Sequence, residues 1–257
     1  MTEYSGSGDP ARSLALLWRT RERASRKGKP DLGVEVIVRA AITIADTSGL
    51  GALSMRRVAE RLGVGTMSLY TYVPGKAELL DVMLDTVYGE RPMPEDVPGG
   101  WRDRLELIAR QNLALYQRHP WLLQVATSRP VLGPNTIARY DCELRAIDGI
   151  GLSDVEMDSV LTLISGYVHG AARGAAEAVA AEHDTGMSDQ QWWYAHAPFL
   201  ERILDPGRYP TAARVGSAAG EEHQSAYNPE HAFEFGLQRV LDGIEVLVKS
   251  RVPTSST

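Results

Sequence analysis

Apolar residues recur along this chain at intervals of three and four, the spacing that lines one face of an α-helix. From Val34 the stripe is continuous: Val34, Ile37, Val38, Ala41, Ile44 and Ala45 share a side, and Gly49 stands where such a helix stops. Trp101 to His119 carries Leu105, Ile108, Leu115 and Tyr116 between polar residues. Pro134 to Gly149 predicts a shorter helix with Ile137, Leu144 and Ile147 inward. Ser153 to Ala181 predicts a long helix that opens at a Ser/Asp cap. Gln190 to Leu204 holds Trp192, Trp193 and Phe199, and a closing segment from Glu230 to Arg251 turns Phe233, Leu237, Val240, Leu241, Ile244, Leu247 and Val248 to one side. No segment alternates with period two, so the pattern predicts an all-α fold.

The breaks divide the chain. Met1 to Pro10 is polar and rich in Gly and Ser, the composition of a segment without fixed structure. Ser13 to Glu22 is a short amphipathic stretch built on Leu14, Leu17 and Trp18, and Arg23 to Pro30 is a basic loop. Arg91 to Gly100 is dense in Pro and Gly, and Asp205 to Pro229 reads as a long mobile loop. Three parts result: residues 1–30, a flexible basic arm with a short helix; residues 31–89; and residues 90–257.

The most informative segment is Leu53 to Val73. Met55, Val58, Ala59 and Leu62 fall at i, i+3, i+4 and i+7, so one face of a short helix is buried while Arg56, Arg57, Glu60 and Arg61 face out. Gly63 stands where a helix ends in a left-handed residue, Val64 plugs the angle, and Gly65 starts a second helix from Thr66 to Val73. Leu69 and Val73 bury against the first helix, leaving Thr66, Met67, Ser68, Tyr70, Thr71 and Tyr72 outside. Two short helices about a glycine turn form either a helix-turn-helix, whose second helix fits a DNA major groove, or a plain hairpin of a helical core.

Charge sharpens the choice. Through Lys76 there are twelve Lys/Arg against seven Asp/Glu, a balance of +5, whereas the remainder carries −11 within a net charge of −6. A basic head on an acidic body suits contact of the head alone with a polyanion; a basic tail without a partner is the other reading.

From Val34 to Met83 the chain resembles the tetracycline-repressor (TetR) family. The resemblance lies in the leading helix, Gly49-Leu50-Gly51-Ala52-Leu53-Ser54-Met55-Arg56, Val58-Ala59-Glu60-Arg61-Leu62-Gly63-Val64, Ser68-Leu69-Tyr70-Thr71-Tyr72-Val73 and Lys76-Ala77-Glu78-Leu79-Leu80. The closing helix, with Phe235-Gly236-Leu237 and Leu241-Asp242-Gly243-Ile244, more loosely resembles the C-terminal domain of the tetracycline repressor's own branch. The resemblance implies a DNA-binding domain in 31–89 and a ligand-binding and dimerisation domain in 90–257. It implies a one-component regulator, a repressor that binds a palindromic double-stranded operator as a homodimer and is released by a small-molecule inducer. Arg56 matches a position that reaches a base edge or the backbone, and arginine suits the two acceptors of guanine. Thr66, Met67 and Ser68 match base-reading positions, Met67 by apolar contact with a thymine methyl. Thr71 stands on the same exposed side. Tyr70 and Tyr72 match positions whose polar tips hold phosphates, a half-buried core tyrosine being the alternative for Tyr70, and Lys76 matches a phosphate contact. Met67 is larger than the residues common there. Arg19, Arg21, Arg23, Arg26, Lys27 and Lys29 precede the first family helix and form either a minor-groove arm or a solvated tail.

Gly166, Gly170 and Gly174 recur every four residues in the long helix, and Gly236 and Gly243 accompany the closing stripe. Such small residues permit close packing, between subunits or within the chain. A ligand cavity among the middle helices follows from the family; Trp101, Tyr116, His119, Trp121, Tyr140, Tyr167, His169, Trp192 and Trp193 are candidates to line it. Arg173 joins them through the spacing His169, Arg173, Glu177, which fits a surface ion pair equally well. No nucleophile elbow, phosphate loop, zinc-protease motif or cysteine pair is present, so no catalytic residue, metal site or cofactor is expected. A helical enzyme and a helical adaptor remain the rival classes. No run approaches the ~20 apolar residues of a membrane span, and a single Cys142 suits a reducing cytoplasm.

Overall fold

The computed structural model describes residues 3–20, 32–90, 99–126 and 129–251. It is helical throughout apart from one two-stranded parallel pair, in which β1 (Glu3–Tyr4) lies beside β2 (Val125–Ala126). The order is α1 (Pro10–Leu17), α2 (Val34–Ser48), α3 (Met55–Leu62), α4 (Thr66–Leu69), α5 (Lys76–Tyr88), α6 (Trp101–Arg118), α7 (Pro134–Arg145), α8 (Asp154–Thr185), α9 (Asp189–Ile203), α10 (Pro210–His223) and α11 (Pro229–Arg251).

Two apolar clusters hold the chain together. The first gathers α2, α3, Leu69, Val73 and α5, and draws in Leu17 from α1 and Leu115, Trp121, Leu122, Val125 and Val131 from later in the chain. The second is built by Leu105 and Ile108 of α6, Val160, Ile164 and Val168 of α8, and Leu237, Leu241 and Ile244 of α11. Tyr116 packs against both. Helix ends follow their local chemistry. Ser153 and Glu156 cap each other's backbone at the start of α8, and Gly186, left-handed at φ 67°, closes it.

Three expectations differ from the structure. Residues 3–20 were read as part of a flexible arm with a short helix; a helix is there, as α1, but it packs on α5, β1 pairs with β2, and Ser5 is buried. A polar segment acquires a fixed place when another element supplies its hydrogen-bond partners, and composition does not show that. Asp205 to Pro229 was read as a loop but contains α10. Pro210 at its first turn presets the helical φ, and Ala212, Ala213, Ala218 and Ala219 favour helix, while Gly216 and Gly220 imitate loop signals. Ile137, read as inward, lies on the exposed side of α7; Ile147 is buried and Leu144 partly so.

Candidate nucleic-acid interface and ligand region

The hairpin of α3 and α4 is assembled from both ends. Ser54 Oγ accepts the Arg57 backbone N–H at 3.2 Å, starting α3, and Met55, Val58 and Ala59 are buried beneath it. Gly63 ends the helix at φ 66°, and the Val64 N–H closes the turn on the Ala59 carbonyl at 3.0 Å. Leu69 and Val73 are fully buried. The second helix is shorter than its sequence pattern: α4 stops at Leu69, and the Tyr72 and Val73 N–H groups both return to the Leu69 carbonyl at 2.9 and 2.8 Å. Pro74 disfavours helix at Val73, and the run Tyr70-Thr71-Tyr72-Val73 has low helical propensity.

This packing leaves Met67 78% exposed, with Ser68, Tyr70 and Thr71 also facing outward; Thr66 and Tyr72 are half-buried. Arg56 is exposed and paired with Glu60 at 2.8 Å, a surface contact readily exchanged for a stronger acceptor. Lys76 is half-buried at the first residue of α5. A helix N-terminus already favours anions through its unpaired N–H groups, so a lysine there adds to an anion-seeking end rather than stabilising the helix. Two cations received no role from sequence: Arg61 is exposed on α3, and Arg57 donates to Ser48 Oγ at 3.1 Å. Their position on the outer face of α3 was the available signal.

The other candidates separate into several places. Tyr116 of α6 and His169 of α8 meet edge to face at 5.5 Å. Beside Tyr116 lies a polar group absent from the sequence reading. Arg139 of α7 pairs with Glu143 at 2.9 Å, donates to Asn112 Oδ1 at 3.2 Å, and places its guanidinium 4.7 Å from the Tyr88 ring centre. Burial raises the Tyr116 hydroxyl to about 12 and raises that of Tyr88, while burial followed by the Arg173 charge lowers His169. Gln111 Oε1 is a buried acceptor with no hydrogen-bond partner among the described residues. A cavity of about 380 Å³ opens between α6, α8 and α11, lined by Leu113, Gln117, Ala171 and Phe233 among others.

The remaining candidates serve other contacts. His119 is buried between Asp46 at 2.7 Å and Glu90 at 3.0 Å, and Trp121 Nε1 donates to Asp46 at 2.8 Å, joining α2 to the segment after α6. Tyr167 donates to the Ala232 and Phe233 carbonyls at 2.9 and 2.7 Å, pinning α8 to α11. Tyr140 is exposed and donates to Asp158 at 2.8 Å, and Arg173 forms an exposed pair with Glu177 at 2.9 Å. Trp101 borders the second cluster. On α9, Trp192 is exposed and stacked on His196, while Trp193 packs against Gly220 of α10. Of the ten candidates, the structure therefore brings together His119 with Trp121 on Asp46, and Tyr116 with His169, Tyr116 lying near an arginine whose buried setting no periodicity reveals.

Residues 37–83 match the tetR family model of bacterial regulatory proteins, and residues 93–248 match the tetracyclin repressor-like C-terminal domain. The HTH-type transcriptional repressor DrrR1 of Streptomyces coeruleorubidus is 52% identical over 97% of this chain and 91% of the relative. The class C tetracycline repressor protein of Escherichia coli is 28% identical over 86% of this chain and 93% of its own length. Among solved structures, the Streptomyces coelicolor TetR family protein ActR in complex with actinorhodin is similar at a TM-score of 0.72 and 26% identity, covering 89% of this chain and 100% of that one. With matching models over residues 37–83 and 93–248 and a relative similar along almost the whole length, the chain belongs to the tetR family of bacterial transcriptional regulators.

Proposed function

We propose that this regulator binds a palindromic operator as a homodimer through Arg56, Thr66, Met67, Ser68, Tyr70, Thr71, Tyr72 and Lys76, and that a small molecule held near Tyr116 releases it. The reading is carried by one observation: on a hairpin packed through Met55, Val58, Ala59, Leu69 and Val73, the side chains left wholly or partly outside include those that match DNA-facing positions of the family. The division into a reading head over 31–89 and a sensing and dimerising body over 90–257 belongs to the same reading, as do a cytoplasmic location and the absence of catalysis. No helix among the described residues is long and apolar enough to cross a membrane.

The dimer face is the side of α8 and α11 turned away from the second cluster. Val155, Leu163, Gly166 and Gly170 of α8 and Phe235, Gly243 and Val246 of α11 are all exposed, and a methyl group at Gly166, Gly170 or Gly243 would meet open space. Four such helices, two from each subunit, make a bundle.

The ligand region communicates with the head through α5. Lys76 begins this helix and Tyr88 ends it, about 20 Å away at 1.5 Å per residue. Tyr88 touches Arg139, and Asp85 holds the start of α7, accepting from the Thr136 N–H and hydroxyl at 2.9 Å each and from Asn135 Nδ2 at 3.2 Å. A ligand that enters beside Tyr116, His169 and Arg139 therefore displaces the far end of the helix that follows the reading hairpin. Those side chains suit an aromatic ligand bearing an acidic oxygen for Arg139. The similar protein ActR, solved in complex with actinorhodin, lends support to a small-molecule ligand. To act, the ligand must bind the DNA-incompetent arrangement more tightly.

Sequencing the DNA fragments that the full-length protein retains from a random duplex library tests the reading. A two-fold symmetric motif, its half-sites about one helical turn apart (~34–36 Å), is expected. Retention without a motif, or of single half-sites alone, would contradict it.

A further inference from the structure

Three parts of the molecule meet on the segment that precedes the first family helix. Against α5, the Gly6 N–H donates to Asp81 Oδ1 at 2.8 Å, the Ser13 hydroxyl to Asp81 Oδ2 at 3.1 Å, and the Asp9 N–H to Glu78 at 3.3 Å. Against the body, β1 pairs with β2, Ser5 Oγ donates to the Arg129 carbonyl at 2.7 Å, and Trp18 Nε1 donates to the Leu132 carbonyl at 2.8 Å. Against the head, Leu17 is buried in the first cluster and Arg19 pairs with Glu35 of α2 at 2.9 Å. We propose that residues 3–20 are a strap that fixes the angle of α5 against the body and thereby sets the distance between the two reading heads, with Asp81 as its positioning residue.

The chemistry of α5 supports a built contact. Glu78 and Asp81, one turn apart on the same side, are both buried. Carboxylates are costly to bury without donors, and the strap supplies them through Gly6 and Ser13 to Asp81 and through Asp9 to Glu78. Burial raises the Asp81 carboxyl, and the strap's donors at Gly6 and Ser13 pull it back. The fit is close: a Cβ on Gly8 would lie 2.7 Å from Glu78 Oε1, so the carboxylate would have to shift, and Gly6 adopts φ 63°, which favours glycine. Leverage explains why fixing α5 matters. A swing of about 10° over its ~20 Å length displaces one end by about 3.5 Å, close to the ~3.4 Å separation of successive base pairs.

The proposal rests on the dimeric reading, and half-site spacing separates the two. A palindromic duplex selected by the full-length wild type is compared with duplexes lengthened or shortened by one base pair between half-sites, and with a single half-site. The proteins are wild type, Asp81→Asn and the full-length triple variant Ser5→Ala, Ser13→Ala, Trp18→Phe. Wild type is expected to lose at least about tenfold in affinity per base pair of misfit. The variants are expected to flatten that penalty to about threefold or less while single half-site affinity changes by under about twofold. An unchanged spacing profile, or an equal loss on every duplex including the half-site, would overturn the strap. A wild type indifferent to spacing would overturn the dimeric reading and the strap with it. If neither variant folds, amide exchange on the wild type decides: Gly6 and Asp9 protected to the level of α5 support the strap, and exchange at unfolded rates overturns it.

Discussion

Two pairs of short helices in this protein have opposite relations to their own chain. In α3–α4 and the turn after it the apolar side chains Val58, Ala59, Leu69 and Val73 are buried almost completely, and what remains outside is polar apart from Met67 and Tyr70. In α9–α10 the arrangement is inverted. No residue of α9 is buried, Phe199 is 65% and Ile203 80% exposed, and Trp192, Tyr194 and Leu200 face outward beside them. The first pair is completed by its protomer and presents a surface for something polar and rigid. The second is unfinished within the protomer, and an apolar face of that extent marks an interaction surface.

The largest expected effect breaks the finished pair. Leu69→Ala removes a fully buried side chain between α4 and the first cluster, and the cost expected from comparable core truncations is about 2–5 kcal/mol. Thermal unfolding should show an early transition of the head while self-association through α8 and α11 persists. A single transition shifted by less than about 0.5 kcal/mol would mean that the hairpin is not held by this packing.

A smaller effect is expected from the unfinished pair. Phe199→Ser with Ile203→Ser removes little packing within the protomer, so circular dichroism should be unchanged. If the partner subunit covers this face, the dimer dissociation constant measured by sedimentation should rise at least about tenfold, because burying each such side chain contributes about 1.5–3 kcal/mol. An unchanged constant would show that the dimer leaves α9 in solvent.

The same contrast explains what the sequence could reveal. The hairpin was legible because every signal is local: the stripe Met55, Val58, Ala59 and Leu62, a left-handed glycine at 63, and a helix start at Gly65. The long helices α8 and α11 were legible for the same reason, their stripes running for many turns. The strap was not, because its polar segment gains structure only from Asp81, Glu78 and the Ala126 and Arg129 carbonyls, about 70 to 125 residues away in sequence. Glycines at 216 and 220 hid α10, although Gly220 is needed where Trp193 packs. The ligand region was half legible. Aromatic residues of α6 and α8 were identified, but Arg139 sits on a helix whose exposed and buried charges look alike in sequence, and only tertiary packing distinguishes it from Arg145.

Base reading and phosphate holding separate most directly by comparing Met67→Ala with Lys76→Ala in full-length protein, each by library selection and by operator titration over a range of salt. The account predicts that Met67→Ala changes the preferred half-site at one position. Lys76→Ala should leave the motif intact, weaken binding to all duplexes alike, and lower the salt slope by about one. A Met67→Ala protein with the wild-type motif, or a Lys76→Ala protein with wild-type affinity at every salt concentration, would contradict it.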